Sequence, residues 1–313
     1  MTYDLNFDGA TVESAMIGGT GTVRNVALAD ADLPPMTDRR KFLAALATGL
    51  AGCMLPGGGP KSRGIRIAHL CDPQFGFGDP RGTEEAYRAD LMRFEALIER
   101  VNDLDADLVF IAGDMTHDGA AVTRDWPRLL RKFRAPVVVT PGNHDLGNRV
   151  TRENLLRFRR VFGYDRVTFE RNGWLFLSGN SQFWFETADC EDERTAYLKW
   201  AEERLDYAKS FGGRVILGSH YPPFALHVHE PDGHSNRPLA TRESWFDRYL
   251  DAGARFYLAG HTHTMLARAH KGLAVLNAET TSRNFDWRPF GGRLLEIGTD
   301  FSYTWNFAGT SLT

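Results

Sequence analysis

Five apolar runs in this chain, at residues 65–71, 108–112, 136–140, 215–218 and 256–259, each lead into a polar block of the same narrow chemistry. The blocks are Asp72-Pro73-Gln74, Gly113-Asp114, Gly142-Asn143-His144-Asp145, His220 and Gly260-His261-Thr262-His263. Short, β-branched runs bounded by Gly or Pro read as buried strands. Helical periodicity lies between them, at 83–104, 151–162 and 194–211, so the pattern predicts an α/β fold. In α/β sheets, ligands collect in the crevice beyond the carboxyl ends of the strands, and that is where all five blocks fall. The glycines in them admit positive φ and let backbone approach a bound group closely.

The donors are carboxylates, amide oxygens and imidazoles, a set suited to Mn, Fe or Zn and not to an all-thiolate site. A centre of two ions about 3.5–4 Å apart, one carboxylate bridging them, needs roughly seven protein ligands, and the five blocks together hold enough. Each block alone could be an ordinary turn. All five in order, each after an apolar run, point to a two-metal centre.

With these motifs the chain resembles the calcineurin-like metallophosphoesterases, in the branch whose first motif reads D-P-Q and not the commoner D-x-H. Also similar to that branch are Phe75-Gly76 after the first motif, Gly142 through Gly147-Asn148, Asn180-Ser181-Gln182-Phe183 and His220-Tyr221-Pro222-Pro223-Phe224. The likeness runs from about residue 65 to about 297. It implies a four-layer α/β/β/α sandwich of two mixed sheets flanked by helices, with two divalent ions between the sheet tops. Matched residue by residue, it assigns one ion Asp72, Gln74, Asp114 and His263. It assigns the other Asp114, Asn143, His220 and His261, with Asp114 bridging. His144 then faces the substrate, held by Asp145. Gln74 stands where most relatives have His. A neutral amide oxygen is a weaker, harder ligand than imidazole, which favours Mn or Fe over Zn.

Such a pair of ions polarises phosphoryl oxygens and lowers the pKa of a shared water from about 15.7 towards 7. The expected reaction is hydrolysis of a phosphate ester by attack of a metal-activated hydroxide, on a phosphomonoester as in a protein phosphatase. A phosphodiesterase would use the same ligands, so the choice rests on the cleft walls at 75–81, 183–193 and 224–238. Trp184, Phe185, Trp287 and Phe290 could stack there on an organic leaving group, or simply pack. A metal-bound envelope protein without turnover is the third reading, opposed by the intact donor set and the His144-Asp145 pair. His144 is the expected general acid, because imidazole titrates near neutral pH, with Asp145 orienting it and raising its pKa.

Other histidines have blander expectations. His69 lies on a buried strand as a satisfied core group, His117 could come near the site, and His227, His229 and His234 sit in a loop that could border the cleft. His270 belongs to no constellation. Arg283 suits either a phosphate oxygen or an ion pair. Cys71 and Cys190 could pair, although Cys71 on a buried strand suits an inert thiol.

Ahead of the domain, Arg39-Arg40-Lys41-Phe42-Leu43 begins an apolar stretch ending in Leu50-Ala51-Gly52-Cys53. This looks like a twin-arginine export signal with a lipobox, and the stretch is too short to cross roughly 30 Å of hydrocarbon. The expected organisation is a mis-assigned or disordered 1–35 with Met36 as an alternative start, a signal at 36–53, a Gly/Pro linker at 54–63 and the enzyme domain at 64–313. Cys53 would then carry the lipid that places the enzyme on the periplasmic side of the envelope. A formal net charge of −3 without a basic stripe argues against nucleic acid as a partner. The expected partner is a phosphorylated substrate; oligomeric state stays open.

Overall fold

Along the first strand of the domain, side chains divide strictly by parity. Ile65 and Ile67 join an apolar cluster with Phe110, Phe176, Ile216 and Leu258, while Ala68 and Leu70 join another with Phe94, Leu97 and Ile98. A strand buried on both faces needs a layer on each side. One face meets a second sheet and the other meets helices.

The structure, a computed structural model, describes residues 12–16, 21–26 and 63–310. In chain order it contains β1 (Val12–Met16), β2 (Gly21–Val26), β3 (Ile65–Leu70), α1 (Glu84–Asn102), β4 (Leu108–Ile111), α2 (Val122–Leu129) and β5 (Val137–Val139). Then come the single turn α3 (Asn143–Leu146), α4 (Arg152–Phe162), β6 (Val167–Arg171), β7 (Trp174–Ser178), α5 (Glu191–Ala208), β8 (Val215–Gly218) and α6 (Leu239–Asp251). The chain closes with β9 (Ala254–Ala259), β10 (Leu266–His270), β11 (Leu273–Asn277), β12 (Gly291–Ile297) and β13 (Tyr303–Gly309). One sheet has the order β13-β12-β3-β4-β5 and the other β1-β2-β6-β7-β8-β9-β11-β10.

Both sheets are mixed, as expected of the sandwich. β3, β4 and β5 run parallel, as do β7, β8, β9 and β11, while β12, β13, β6 and β10 pair antiparallel. Phe110 and Phe176 meet between the sheets, ring centroids 5.0 Å apart. The parallel strands β3, β4, β5, β8 and β9 therefore present their carboxyl ends, and the five polar blocks, along one rim.

The expected helices form close to their expected bounds because their ends are capped. Thr83 accepts from Ala86 N–H and Thr151 from Asn154 N–H, and Gly163 closes α4 in the left-handed region. The third starts earlier than its periodicity suggests, at Glu191, where three acidic residues in the first turn meet the positive end of the helix dipole.

Two strands lie within 1–35, the segment read as mis-assigned or disordered. β2 pairs antiparallel with β6, Val23 opposite Phe169, and β1 pairs with β2. The bare edge of β6 offers hydrogen-bonding groups that an added hairpin satisfies, a driving force that a short polar sequence does not display. The Arg39-Arg40 pair, the Cys53 block and nearly all the linker lie outside the described residues. Among the described residues no helix is long and apolar enough to cross a membrane. Cys71 and Cys190 are both buried and free, so the disulfide alternative is set aside.

Candidate metal centre

Seven buried side chains gather at the rim: Asp72, Gln74, Asp114, Asn143, His220, His261 and His263. Their backbone is strained. Asp72, Gln74, Asp114, His261 and His263 take φ of 45°, 35°, 50°, 70° and 50°, half of the ten non-glycine residues with positive φ among the described residues. Each such conformation costs on the order of 1–3 kcal/mol, which the fold offsets through buried Leu, Ile and Phe side chains at about 1.5–3 kcal/mol apiece. Strain concentrated on these residues marks a functional site. Two glycines make the approach possible. A Cβ on Gly142 would sit 2.0 Å from Asp114 Oδ1, and one on Gly113, at φ +84°, would sit 2.5 Å from His220 Nδ1.

Asp114, His220 and His261 bring ligand atoms within 4.8 Å of one another, and so do Asp72, Asp114 and His263. Asp114 belongs to both groups, the position a bridging carboxylate must hold. His220 Nδ1 donates to Ala112 O at 2.8 Å and His263 Nδ1 to Arg283 O at 2.7 Å, which turns both Nε2 atoms inward. His261 Nε2 faces His234 O at 3.1 Å, so its Nδ1 is the inward atom. Asn143 Nδ2 donates to Asn148 Oδ1, leaving its own Oδ1 inward.

Acceptors therefore face acceptors. His220 Nε2 lies 3.0 Å from Asn143 Oδ1, 3.1 Å from His261 Nδ1 and 3.5 Å from Asp114 Oδ1. Gln74 Oε1 is buried with no hydrogen-bond partner. Buried lone pairs without donors are costly, a cost that bound cations would relieve. Electrostatics agree. Burial lowers the pKa of His220, pushes His261 well below its ordinary value and brings His263 to about 4. Burial and the charge of Asp114 push Asp72 well above the carboxylate range. Burial thus favours the neutral imidazoles, the form that ligates a cation, and the crowded carboxylates of Asp72 and Asp114 would be relieved by positive charge.

Around this centre two expectations change. Asp145 does not hold His144. Its carboxylate accepts from Met115 N–H at 3.1 Å and Gly142 N–H at 2.8 Å, bracing the backbone beside Asp114 and Asn143. A side chain on a one-turn helix meets its own N-terminal amides before it reaches a neighbouring ring. His144 Nδ1 instead donates to His117 O at 2.9 Å, so His117 enters through its carbonyl. Arg283 likewise contributes a carbonyl, while its guanidinium pairs with Asp79 at 3.1 Å.

His234 borders the site against His261, whereas His229 pairs with Glu243, His227 bonds Glu230 through its backbone N–H and carbonyl, and His270 packs on Phe246. His69 is a core group, bonded through Nε2 to Ala259 O and held neutral by burial, with its pKa near 3. Of the four aromatic residues, Trp184 is buried under Arg237, Phe290 lies under Arg93, and Phe185 packs on Tyr221. Trp287 alone stands in solvent. Sequence reasoning gave no individual role to Tyr221, 4.2 Å from the His261 ring, or to Phe77 and Phe285, 4.9 and 5.1 Å from the His263 ring. Phe77 and Tyr221 adjoin the motifs, a signal that was available; Phe285 had none.

A two-sheet α/β sandwich whose strand ends hold oxygen and imidazole donors around one shared carboxylate is a metal-dependent hydrolase by class. The chain belongs to the calcineurin-like phosphoesterase family, whose description matches residues 65–265. It is 28% identical over 246 residues to the serine/threonine-protein phosphatase CPPED1 of Bos taurus, covering 73% of this chain and 75% of that one. The Danio rerio CPPED1 is 30% identical over 222 residues, 66% of this chain and 72% of that one. A probable cyclic nucleotide phosphodiesterase of Ruthia magnifica is 20% identical over 200 residues, 62% of this chain and 78% of that one. The fold is shared with a dimetal phosphatase from Danio rerio, with a TM-score of 0.54 at 16% identity over 79% of this chain and 97% of that one. A purple acid phosphatase from yellow lupin gives 0.52 at 15% identity over 77% and 50%. The chain is a hydrolase of phosphoric ester bonds that works with divalent metal ions.

Proposed function

We propose that this chain is a two-metal phosphomonoesterase of the protein-phosphatase kind. The observation that carries the two-ion reading is Asp114, which stands in both donor groups at once. The monoester preference is supported by relatives at 28–30% identity that are named serine/threonine phosphatases, against 20% for the probable phosphodiesterases. When bound, two divalent cations polarise the phosphoryl oxygens and make water nucleophilic at neutral pH. Asp72, Gln74, Asp114 and His263 would hold one ion; Asp114, Asn143, His220 and His261 would hold the other. His144, whose Nδ1–H donates to His117 O, directs Nε2 at the substrate and, as the imidazolium, gives the Nε2 proton to the leaving oxygen. Asp145 fixes the backbone of two ligands. The test is turnover of p-nitrophenyl phosphate against bis(p-nitrophenyl) phosphate, which share a leaving group, by Mn-, Fe- and Zn-loaded protein. Faster hydrolysis of the monoester supports the proposal; faster hydrolysis of the diester makes the chain a phosphodiesterase.

Gln74 gives the metals a further test. Its amide oxygen is neutral and weakly binding, so Gln74→His should tighten one ion and move preference from Mn or Fe towards Zn. Elemental analysis after competitive loading measures this. Unchanged content and preference would place Gln74 outside the ligands.

Export through the twin-arginine route with lipid attachment at Cys53 completes the proposal, supported by the Arg39-Arg40 pair and the Leu50-Ala51-Gly52-Cys53 block. Several acyl chains anchor stably, at about 0.8 kcal/mol per buried methylene. Membrane fractionation should find the enzyme in the envelope, and Arg39→Lys with Arg40→Lys should retain it in the cytoplasm. Wild-type protein found unlipidated in the cytoplasm would refute the address alone.

A further inference from the structure

Trp287 exposes 96% of its surface and holds φ at +59°, in the left-handed region. Either feature is unfavourable for a large aromatic residue. Together they need a reason. The loop that carries it is built to stay put. Phe285 N–H donates to His263 O at 2.8 Å and Met265 N–H to Asp286 Oδ2 at 2.9 Å, tying the loop to the segment that carries His261 and His263. Beyond Trp287, Asn284 Nδ2 donates to Arg288 O and Pro289 O, both at 3.2 Å, while Asn284 Oδ1 accepts from Thr280 N–H at 2.8 Å. Gly291 N–H closes the base on Thr280 O at 3.1 Å. A hydrogen-bonded loop thus holds an exposed indole two residues from Phe285, whose ring packs on His263.

The surface between indole and metals is also aromatic. Phe285, 52% exposed, packs its ring 5.1 Å from that of His263 and 6.1 Å from that of Phe77. Phe77 in turn packs 4.9 Å from His263. An apolar path therefore leads outward from a candidate ligand, through Phe77 and Phe285, to the loop bearing Trp287. A phosphoryl group at the metals would send its ester substituent out across one of the centre's walls, and this wall is aromatic.

We propose that Trp287, with Phe285, is a specificity-determining platform that stacks on a planar aromatic group in the organic part of the phosphate ester. The proposal rests on the phosphoesterase reading of the same site. Pinning the loop removes the ordering cost that a flexible Trp would incur on binding, and stacking of a planar ring on an aromatic side chain is tolerant of the ring's identity.

The test compares 2-naphthylmethyl phosphate with methyl phosphate, whose leaving alcohols are equally poor, so the pair differs in the ring and not in the bond broken. The naphthylmethyl-to-methyl ratio of kcat/KM should fall about tenfold in Trp287→Ala, less in Phe285→Ala, and be largely kept in Trp287→Phe. Calorimetric affinities of metal-loaded protein for naphthylmethylphosphonate and methylphosphonate should show the same change of ratio, a readout that needs no turnover. A ratio unchanged in Trp287→Ala, or an equal loss on both compounds, would overturn the platform. Absence of turnover with the phosphonate ratios behaving as expected would fault the phosphoesterase reading and leave the platform standing.

Discussion

Asp114→Asn is expected to abolish nearly all turnover and to leave the protein with one bound metal ion or none. Asp114 is the only residue common to both donor groups, and its Oδ1 also accepts from His144 N–H at 2.9 Å. Asparagine keeps the size and one acceptor oxygen but removes the charge that two cations must share. Disturbing only the outer partners of a ligand typically costs about 10–100-fold, so loss of the bridge should exceed that range. Misfolding is separable from this effect. In metal-free protein, burial and Asp114 together raise the Asp72 pKa. A carboxyl whose pKa is raised by the fold penalises the folded state once it ionises, at pH above its unfolded value. Removing the Asp114 charge relieves part of that penalty, so the metal-free variant should melt at or above the metal-free wild type at neutral pH. Two ions and full activity retained would remove Asp114 from the bridge.

His144→Ala should lower turnover of alkyl phosphates by about 10²–10⁴, the usual range for one positioned proton donor. The loss on p-nitrophenyl phosphate should be much smaller, because p-nitrophenolate leaves without protonation. His144 stands outside the ligand set, and its ring is anchored on the His117 carbonyl and packs 5.0 Å from the His117 ring. Both ions should therefore remain, as measured by elemental analysis. Equal losses on the two substrates would assign His144 to binding the phosphoryl group instead of donating a proton.

The parallel strands were legible because they are buried on both faces and read as near-continuous apolar runs, each ending in a residue of unmistakable chemistry. The edges were harder. β10, with three exposed positions of five, and β13 alternate too weakly to stand out, and the β1–β2 hairpin depends on the open edge of β6. At the site, residue identities could be read from the motifs but partnerships could not. Asp145 and His144 are adjacent in sequence, yet one binds amides at Gly142 and Met115 while the other binds a carbonyl from the loop after Asp114. His234 was one of three loop histidines with nothing local to single it out. It reaches His261 because buried Glu230 accepts from Ala225, Leu226 and His227 N–H and from Asn236 Nδ2, and buried Arg242 binds the Val228, Glu230 and Arg237 carbonyls. Those contacts fold the loop from its interior, and no periodicity records them.

The most direct test is anomalous diffraction from crystals loaded with manganese. Two peaks are expected about 3.5–4 Å apart, one among Asp72, Gln74, Asp114 and His263 and the other among Asp114, Asn143, His220 and His261, with Asp114 touching both. A single peak, or peaks away from these residues, would contradict the two-metal account.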